Sequence, residues 1–237
     1  MKEKSLGERI QRLEDIHEIQ NLMSRHEYYH SAGMHQEEIE DLFARKTPGV
    51  SFESGDIGAF EGLEAVRKSY VEGMEVIAKR NLEEMQKRYP DARLEEKDKL
   101  AGTLVVHTLT TPVIEVAGDG KTAKGVWMSP GHMTGFMAEP LKAHWVWEKY
   151  GVDFVKEDGK WKFWHFHVYT DFISPYDKSW VESSMEPYPA PELPSGFPKP
   201  NRAATTTPYQ KYHPLATPKL EPKPPVPYET FDETFRY

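Results

Sequence analysis

Proline is distributed very unevenly along this chain, and the distribution limits what each part can fold into. Of 19 prolines only six precede residue 187, so the other 13 fall within residues 187–237. Proline fixes φ, lacks an amide hydrogen and interrupts both helices and sheet ladders, and at this density it favours extended backbone. We therefore expect a regular domain over residues 1–186 and an extended arm over residues 187–237.

The proline-rich arm also carries many aromatic side chains, which are scarce in disordered tails. These are Tyr188, Phe197, Tyr209, Tyr212, Tyr228, Phe231, Phe235 and Tyr237. A stiff backbone with spaced aromatic anchors favours an arm that packs over the domain or over a neighbouring subunit. A disordered tail is the alternative.

Charge and composition exclude several classes of function. The chain has 38 acidic and 30 basic residues, a net charge of -8, so nucleic acid is not an expected partner. Cysteine is absent, which excludes disulfides, thiolate metal sites and cysteine nucleophiles. The first ten residues lack an apolar signal, and the longest uncharged run, residues 100–114, is too short and polar to span a membrane. We expect a soluble, cytoplasmic protein without a membrane partner.

The periodicity of the domain predicts helices first and strands afterwards. Apolar residues at Ile16, Ile19 and Met23 lie on one face of a long helix over residues 6–32. The other predicted elements are a short helix over 36–44, a strand pair over 50–60, a helix over 63–88 and strands over 103–116, 123–132, 142–155 and 161–172. This order predicts an α+β fold in which three N-terminal helices pack on a curved sheet, mixed or antiparallel.

Ten histidines make imidazole the obvious candidate for chemistry. At 100° per residue, His26 and His30 continue the apolar stripe of the first helix, so both are predicted to face inward. Core histidines that are hydrogen-bonded and have no catalytic role are the alternative. His17, His35 and His213 are predicted to be exposed or terminal, and they are given no role.

Further histidines lie on the predicted strands. His107 is in the middle of one strand, His132 lies where the next is interrupted, and His144 opens the third. In the last strand, alternation places His167 and Asp171 on one face. We expect these side chains to converge on a concave sheet face that the first helix closes. Such a pocket would combine acid and base groups with apolar walls.

Residues 26–30 read HEYYH and match the H-E-x-x-H signature, in which two imidazoles one helical turn apart bind zinc and the glutamate is the base. The motif ends the first helix, and no third ligand follows at a recognisable spacing. A metal site completed by His107 or His132 is an alternative. The acid–base chemistry expected here needs neither a metal nor a cofactor.

Several segments resemble the cone-shaped NTF2-like, SnoaL-like superfamily over about residues 8–175. The segments are DIHEIQNLMSRHEYYHSAGM, IEDLF, FEGLEAVRKSY, VVHTLTTPVIEVAGDGKTAKGVW and EDGKWKFWHF. The resemblance implies the NTF2-like, cystatin-like cone for the domain and leaves the arm without a counterpart. The superfamily includes dehydratases, isomerases, cyclases and binding modules, so it does not fix the function.

Within that superfamily the histidines resemble those of scytalone dehydratases. His107 in VVHTL and His132 in SPGHM fall on similar strands in similar order, and Tyr29-His30 lies where that family has a Tyr-Asp pair. The first helix and His107 also resemble bile-acid dehydratases, with His26 where that family has its catalytic tyrosine. Diarylpropane lyases, which release formaldehyde from lignin-derived diols without a cofactor, are similar in general.

The resemblance and the histidines together predict a cofactor-independent lyase for a hydroxylated aromatic or polycyclic small molecule. Dehydration and retro-aldol loss of formaldehyde would use the same groups, as would isomerisation. His107 or His30 is the expected base, and His132, His26 and Tyr29 are candidates for the acid. The residues expected to contact the substrate are Phe52, Trp127, His144, Trp145, His167 and Asp171.

Two other functions fit the same sequence. One is a non-catalytic NTF2-like module that binds a ligand or a protein, and the other is a metal-dependent enzyme with histidine ligands. We expect a homo-oligomer, a dimer or a trimer, with the arm in the contact between subunits.

Overall fold

The computed structural model of the protein describes residues 5–134, 141–185 and 193–237. Its first helix, α1 (Leu6–Ser31), begins at a capping box in which Ser5 and Glu8 satisfy each other's backbone amides. Ile19 and Met23 are completely buried on its inner face. The predicted helix over residues 6–32 is therefore confirmed.

Four further helices follow in the described residues, and a π-helical turn joins two of them into one longer helix. They are α2 (His35–Leu42), α3 (Leu63–Arg67), α4 (Met74–Arg88) and α5 (Trp180–Met185). The π-helical turn, Lys68–Gly73, joins α3 to α4, so the predicted helix over 63–88 is a continuous rod. No helix in the described ranges is both long enough and apolar enough to cross a membrane.

The sheet has seven strands and is mixed. The strands are β1 (Ser51–Ser54), β2 (Gly58–Glu61), β3 (Leu104–His107), β4 (Thr110–Val116), β5 (Thr122–Thr134), β6 (Ala143–Glu157) and β7 (Lys160–Pro175). Their order is β2-β1-β7-β6-β5-β3, and β4 also pairs with β5. Only the β1–β7 pairing is parallel. The single strand predicted over 103–116 is thus two strands that pair with β5 one after the other.

The helices cover one face of this sheet and bury an aromatic core. Phe154, Phe163 and Phe166 on β6 and β7 pack against Phe43 and the inner face of α1. Helices on one side of a curved sheet form the α+β, NTF2-like cone, which confirms the predicted fold class. We call this helix-covered side the inner face.

The described part of the arm, residues 193–237, packs against the same chain. Phe197 lies against Gly73, where a Cβ atom would clash with the ring. The backbone of Arg202 pairs with Ala59 at the edge strand β2. The chain then crosses the outer face, where the buried Glu53 carboxylate accepts hydrogen bonds from the Thr206 amide and the Arg202 side chain. The arm covers both an open sheet edge and a polar sheet face.

Candidate functional site

The end of α1 and the start of α2 bring three imidazoles together. Gly33 has φ 68°, a left-handed conformation that suits glycine, and it reverses the chain so that α2 packs against α1. The rings of His26 and His30 lie 5.4 Å apart, and those of His30 and His35 lie 5.0 Å apart. Both α1 histidines face inward, as the helical period predicts.

Glu38 on α2 lies at the centre of these imidazoles and is completely buried. Its Oε1 contacts Nδ1 of His26, and its Oε2 lies 3.1 Å from Nδ1 of His35 and 3.5 Å from Nδ1 of His30. Burial raises the pKa of this carboxyl, but the imidazoles of His26 and His30 outweigh burial and hold it well below its ordinary value. Glu38 is therefore ionised at neutral pH and carries a negative charge among the imidazoles.

A second acid–base pair faces the same space from the sheet. His107 at the end of β3 pairs with Gly131 on β5, and a Cβ atom at that glycine would crowd the imidazole at 3.1 Å. Nδ1 of His107 lies 3.3 Å from Oε2 of Glu148 on β6. The His107 ring is 6.1 Å from that of His30, so the pair lies next to the helix histidines.

Burial keeps the His107–Glu148 pair uncharged near neutral pH. It lowers the pKa of His107 to about 3, and the neighbouring His30 and His26 add to this effect. Burial raises the pKa of Glu148 to about 8, with Glu27 and Asp56 adding to it. Burial also raises the pKa of Glu27 to about 8. Such shifts are typical of sites where proton transfer occurs.

Aromatic rings form the wall beside the imidazoles. Phe166 lies 4.7 Å from the ring of His26, and Phe52 and Tyr70 are in edge-to-face contact at 5.0 Å. The cleft that opens beside His30 and His35 has room for about 40 Å³ of solvent. Leu100 narrows it, because its side chain lies over Gly33. The cleft is therefore nearly closed.

The sequence profile of the SnoaL-like domain family matches residues 11–167. The chain belongs to the SnoaL-like domain family. The match runs from within α1 to the middle of β7 and therefore includes the whole imidazole cluster with His107 and Glu148, whereas the arm lies outside it. No curated protein matches the sequence.

Solved structures that are similar to this SnoaL-like protein have low sequence identity to it. A protein from Novosphingobium aromaticivorans assigned as a scytalone dehydratase is 14% identical, with a TM-score of 0.49 over 70% of this chain and 91% of that chain. A hexachlorocyclohexane dehydrochlorinase from Novosphingobium barchaimii is 13% identical, with a TM-score of 0.48 over 72% and 95%. A protein of unknown function from Mycobacterium tuberculosis is 16% identical, with a TM-score of 0.48 over 71% and 78%.

Of the residues predicted for the site, four lie at the pocket of the SnoaL-like domain. These are His26, His30, His107 and, in the aromatic wall, Phe52. Trp127 points inward but belongs to the core, with its ring 6.1 Å from that of Phe154. His144 shares the inner face of β6 with Glu148 but lies four residues further along the strand, where its Nδ1 contacts the Lys142 carbonyl.

The structure does not bring His132 and Trp145 to the imidazole cluster. They are directly paired on β5 and β6, one residue out of phase with the inward-facing Gly131 and Val146, so both lie on the outer face. His132 is exposed and its ring stacks near Trp145 at 4.7 Å. Tyr29 also lies away from the cluster, with its hydroxyl donating to Asp41 on the outside of α1.

His167 and Asp171, which are predicted to contact the substrate, lie on the outer face and not beside the imidazole cluster. His167 stacks on Tyr169 at 3.9 Å, and Asp171 lies 3.0 Å from Lys149. These polar residues do share a face, as alternation predicts, but it is the outer face. The arm contacts this face, with the Tyr209 hydroxyl hydrogen-bonded to Asp171.

Three residues of the site were missed in the sequence. His35 was predicted to be exposed or terminal, yet it contacts Glu38. Glu38 occupies the same helical face as Leu42, and Glu148 alternates with Val146 and Tyr150 on β6, which are buried. The sequence signal that identifies Glu38 and Glu148 is a carboxylate in the middle of an apolar stripe, because a buried acid requires partners.

Proposed function

We propose that this SnoaL-like protein is a lyase that removes water, or formaldehyde and water, from a hydroxylated aromatic small molecule. The observation that supports this most directly is the pair of His107 and Glu148, in contact, buried and both uncharged at neutral pH. Such a pair can accept one proton and give another without changing its total charge. Imidazole and a protonated carboxyl group are the usual partners in general acid–base catalysis.

The proposed reaction begins with proton transfer to Nε2 of His107, because its Nδ1 faces Glu148. In a dehydration, Nε2 takes a proton from carbon while Glu148 protonates the hydroxyl on the neighbouring carbon. A carbon–carbon double bond forms and water leaves. The imidazolium and the carboxylate that result lie side by side and stabilise each other, and passage of the Nε2 proton through the released water to Glu148 restores the pair.

The same two transfers would release formaldehyde from a 1,3-diol. His107 would take the proton of the terminal hydroxyl, and the carbon–carbon bond would break to give formaldehyde. The electron pair would form the double bond as Glu148 protonates the second hydroxyl, which leaves as water. An adjacent aromatic ring stabilises charge in either reaction, so no electron-accepting cofactor is required. Phe52 and Phe166 are placed to contact such a ring.

The size of the cleft adds one condition to the proposal. Pockets for drug-sized ligands have volumes of about 300–1,000 Å³, whereas the cleft beside His30 has room for about 40 Å³. An aromatic substrate that enters here would therefore displace Leu100, whose side chain is exposed. We propose that this displacement accompanies substrate binding.

The test is turnover of a panel of phenolic alcohols and phenolic 1,3-diols, with product and formaldehyde measured separately. His107→Ala should lower kcat by about a hundredfold or more, the usual contribution of a general base. His132→Ala is the matched control, because that histidine is exposed on the outer face. Equal turnover by the two variants would exclude His107 from the reaction. Substrate binding without any turnover would favour the non-catalytic binding module instead.

A further inference from the structure

The HEYYH segment has a third partner in the structure. One Nδ1 or Nε2 atom from each of His26 and His30 and one carboxylate oxygen of Glu38 lie within 4.8 Å of one another. Glu38 follows His30 by eight residues, on a separate helix that the Gly33 turn folds back. This is the ligand for which the sequence spacing gave no indication.

Hydrogen bonding does not fully account for these atoms. Nδ1 of His26 and Oε1 of Glu38 are buried and in contact, yet neither makes a hydrogen bond of acceptable geometry within the described part of the chain. A buried carboxylate and a buried imidazole normally satisfy such atoms, because leaving them unsatisfied is costly. Two imidazole nitrogens and a carboxylate oxygen this close together are a common metal-ligand set.

We propose that His26, His30 and Glu38 bind one divalent transition-metal ion of the Zn²⁺, Co²⁺ and Fe²⁺ class. Two imidazole nitrogens and one carboxylate oxygen are ligands that these ions share, and no thiolate is present to select softer metals. The contact between His26 and Glu38 is closer than two ligands of one ion can be. Bonds of about 2.0–2.1 Å place tetrahedral ligand atoms about 3.3 Å apart, so these two side chains move apart on binding.

The surroundings of the three ligands fit this assignment. Nδ1 of His35 lies 3.1 Å from Oε2 of Glu38, where it can donate a hydrogen bond and orient the carboxylate. Partners of this kind around the ligands are usual at metal sites and affect affinity by about 10–100-fold. Three protein ligands leave an open position, and the ring of His107 lies 6.1 Å from that of His30 on the side of the proposed acid–base pair.

The ion would then hold a substrate hydroxyl or a water molecule beside His107 and Glu148. This part of the inference rests on the proposed function, whereas binding of the ion does not. As ligands of the ion, His26 and His30 would not transfer protons, so proton transfer would be left to His107 and Glu148.

The experiment is a Co²⁺ titration of the full chain after chelation and dialysis, followed through the visible d–d bands of the ion and reversed with Zn²⁺. We expect saturation at one ion per chain. His30→Ala and Glu38→Gln should weaken binding by at least about tenfold. His132→Ala should bind Co²⁺ as the unmodified chain does, because His132 lies on the outer face. Near-UV circular dichroism establishes which variants are folded.

A second measurement does not depend on any variant. An ion that binds only the folded chain raises its Tm, so Zn²⁺ should raise the Tm of the chelated protein. No saturable Co²⁺ spectrum and no rise in Tm would overturn the site, as would unchanged affinity in a folded His30→Ala protein. Turnover is assayed separately, so binding without turnover refutes only the proposed function, and turnover without binding refutes only the metal site.

Discussion

Replacing Glu148 by glutamine should make the protein more stable at alkaline pH. The substitution keeps the size and shape of the side chain but removes its ionisation. Burial raises the pKa of Glu148 from its ordinary 4.5 to about 8. In the unfolded chain this carboxyl loses its proton near pH 4.5, while in the folded protein it keeps the proton up to about pH 8. The unfolded state therefore binds fewer protons over this range, and stability falls as the pH rises through it.

The size of the effect follows from the shift. Each pKa unit is worth about 1.36 kcal/mol, so the full shift corresponds to about 4–5 kcal/mol above pH 8. Between pH 5 and pH 9 the free energy of unfolding of the unmodified protein should fall by about 4 kcal/mol relative to that of Glu148→Gln. At pH 5 the two proteins should differ little from this cause, because most of the penalty has not yet developed.

Urea unfolding of both chelator-treated proteins at several pH values measures this difference directly. Glu83→Gln is the control, since that carboxylate is exposed on α4 and its loss should not produce a difference that grows with pH. If the two stability curves of the unmodified protein and Glu148→Gln run parallel from pH 5 to pH 9, Glu148 is ionised in the folded state. The uncharged acid–base pair would then not exist.

Three further predictions concern the arm and the cleft. Glu53→Gln should lower the free energy of unfolding by about 2–4 kcal/mol, because its buried carboxylate binds Arg202 and Arg236; an unchanged urea midpoint would contradict this. A chain ending at Met185 should melt at a lower temperature and contain fewer subunits by light scattering than the full-length chain, and an unchanged subunit number and melting temperature would count against an arm in a subunit contact. Leu100→Ala should lower KM for two-ring phenols with little change in kcat, whereas a higher KM would show that Leu100 holds the substrate.

The helical part of the site could be predicted from the sequence. The periods of α1 and β7 determine which side chains share a face, so His26 and His30 were assigned to the inner side of α1 and His167 and Asp171 to a common face of β7. Periodicity does not say which face of a strand is inner. The polar face of β7 has the composition predicted for the pocket, but the arm covers this face. The aromatic face with Phe163 and Phe166 lies against the helices.

The contacts of Glu38 and Glu148 could not be predicted from the sequence, because both depend on tertiary structure. Glu38 reaches His26 only because the chain reverses at Gly33, and Glu148 meets His107 only through the pairing of β5 with both β3 and β6. The interruption predicted near His132 does not occur, and β5 continues through Pro130 to Thr134. Because β5 is uninterrupted, the alternation of its side chains places His132 on the outer face.

The most direct test of the central claim is a double-mutant cycle on kcat with His107→Ala, Glu148→Gln and both changes together. If the two residues act as one proton-transferring unit, each single variant should lose about a hundredfold or more, and the double variant should be little slower than the slower single one. Losses that multiply would show that the residues act independently. No loss in either single variant would contradict the assignment of catalysis to this pair.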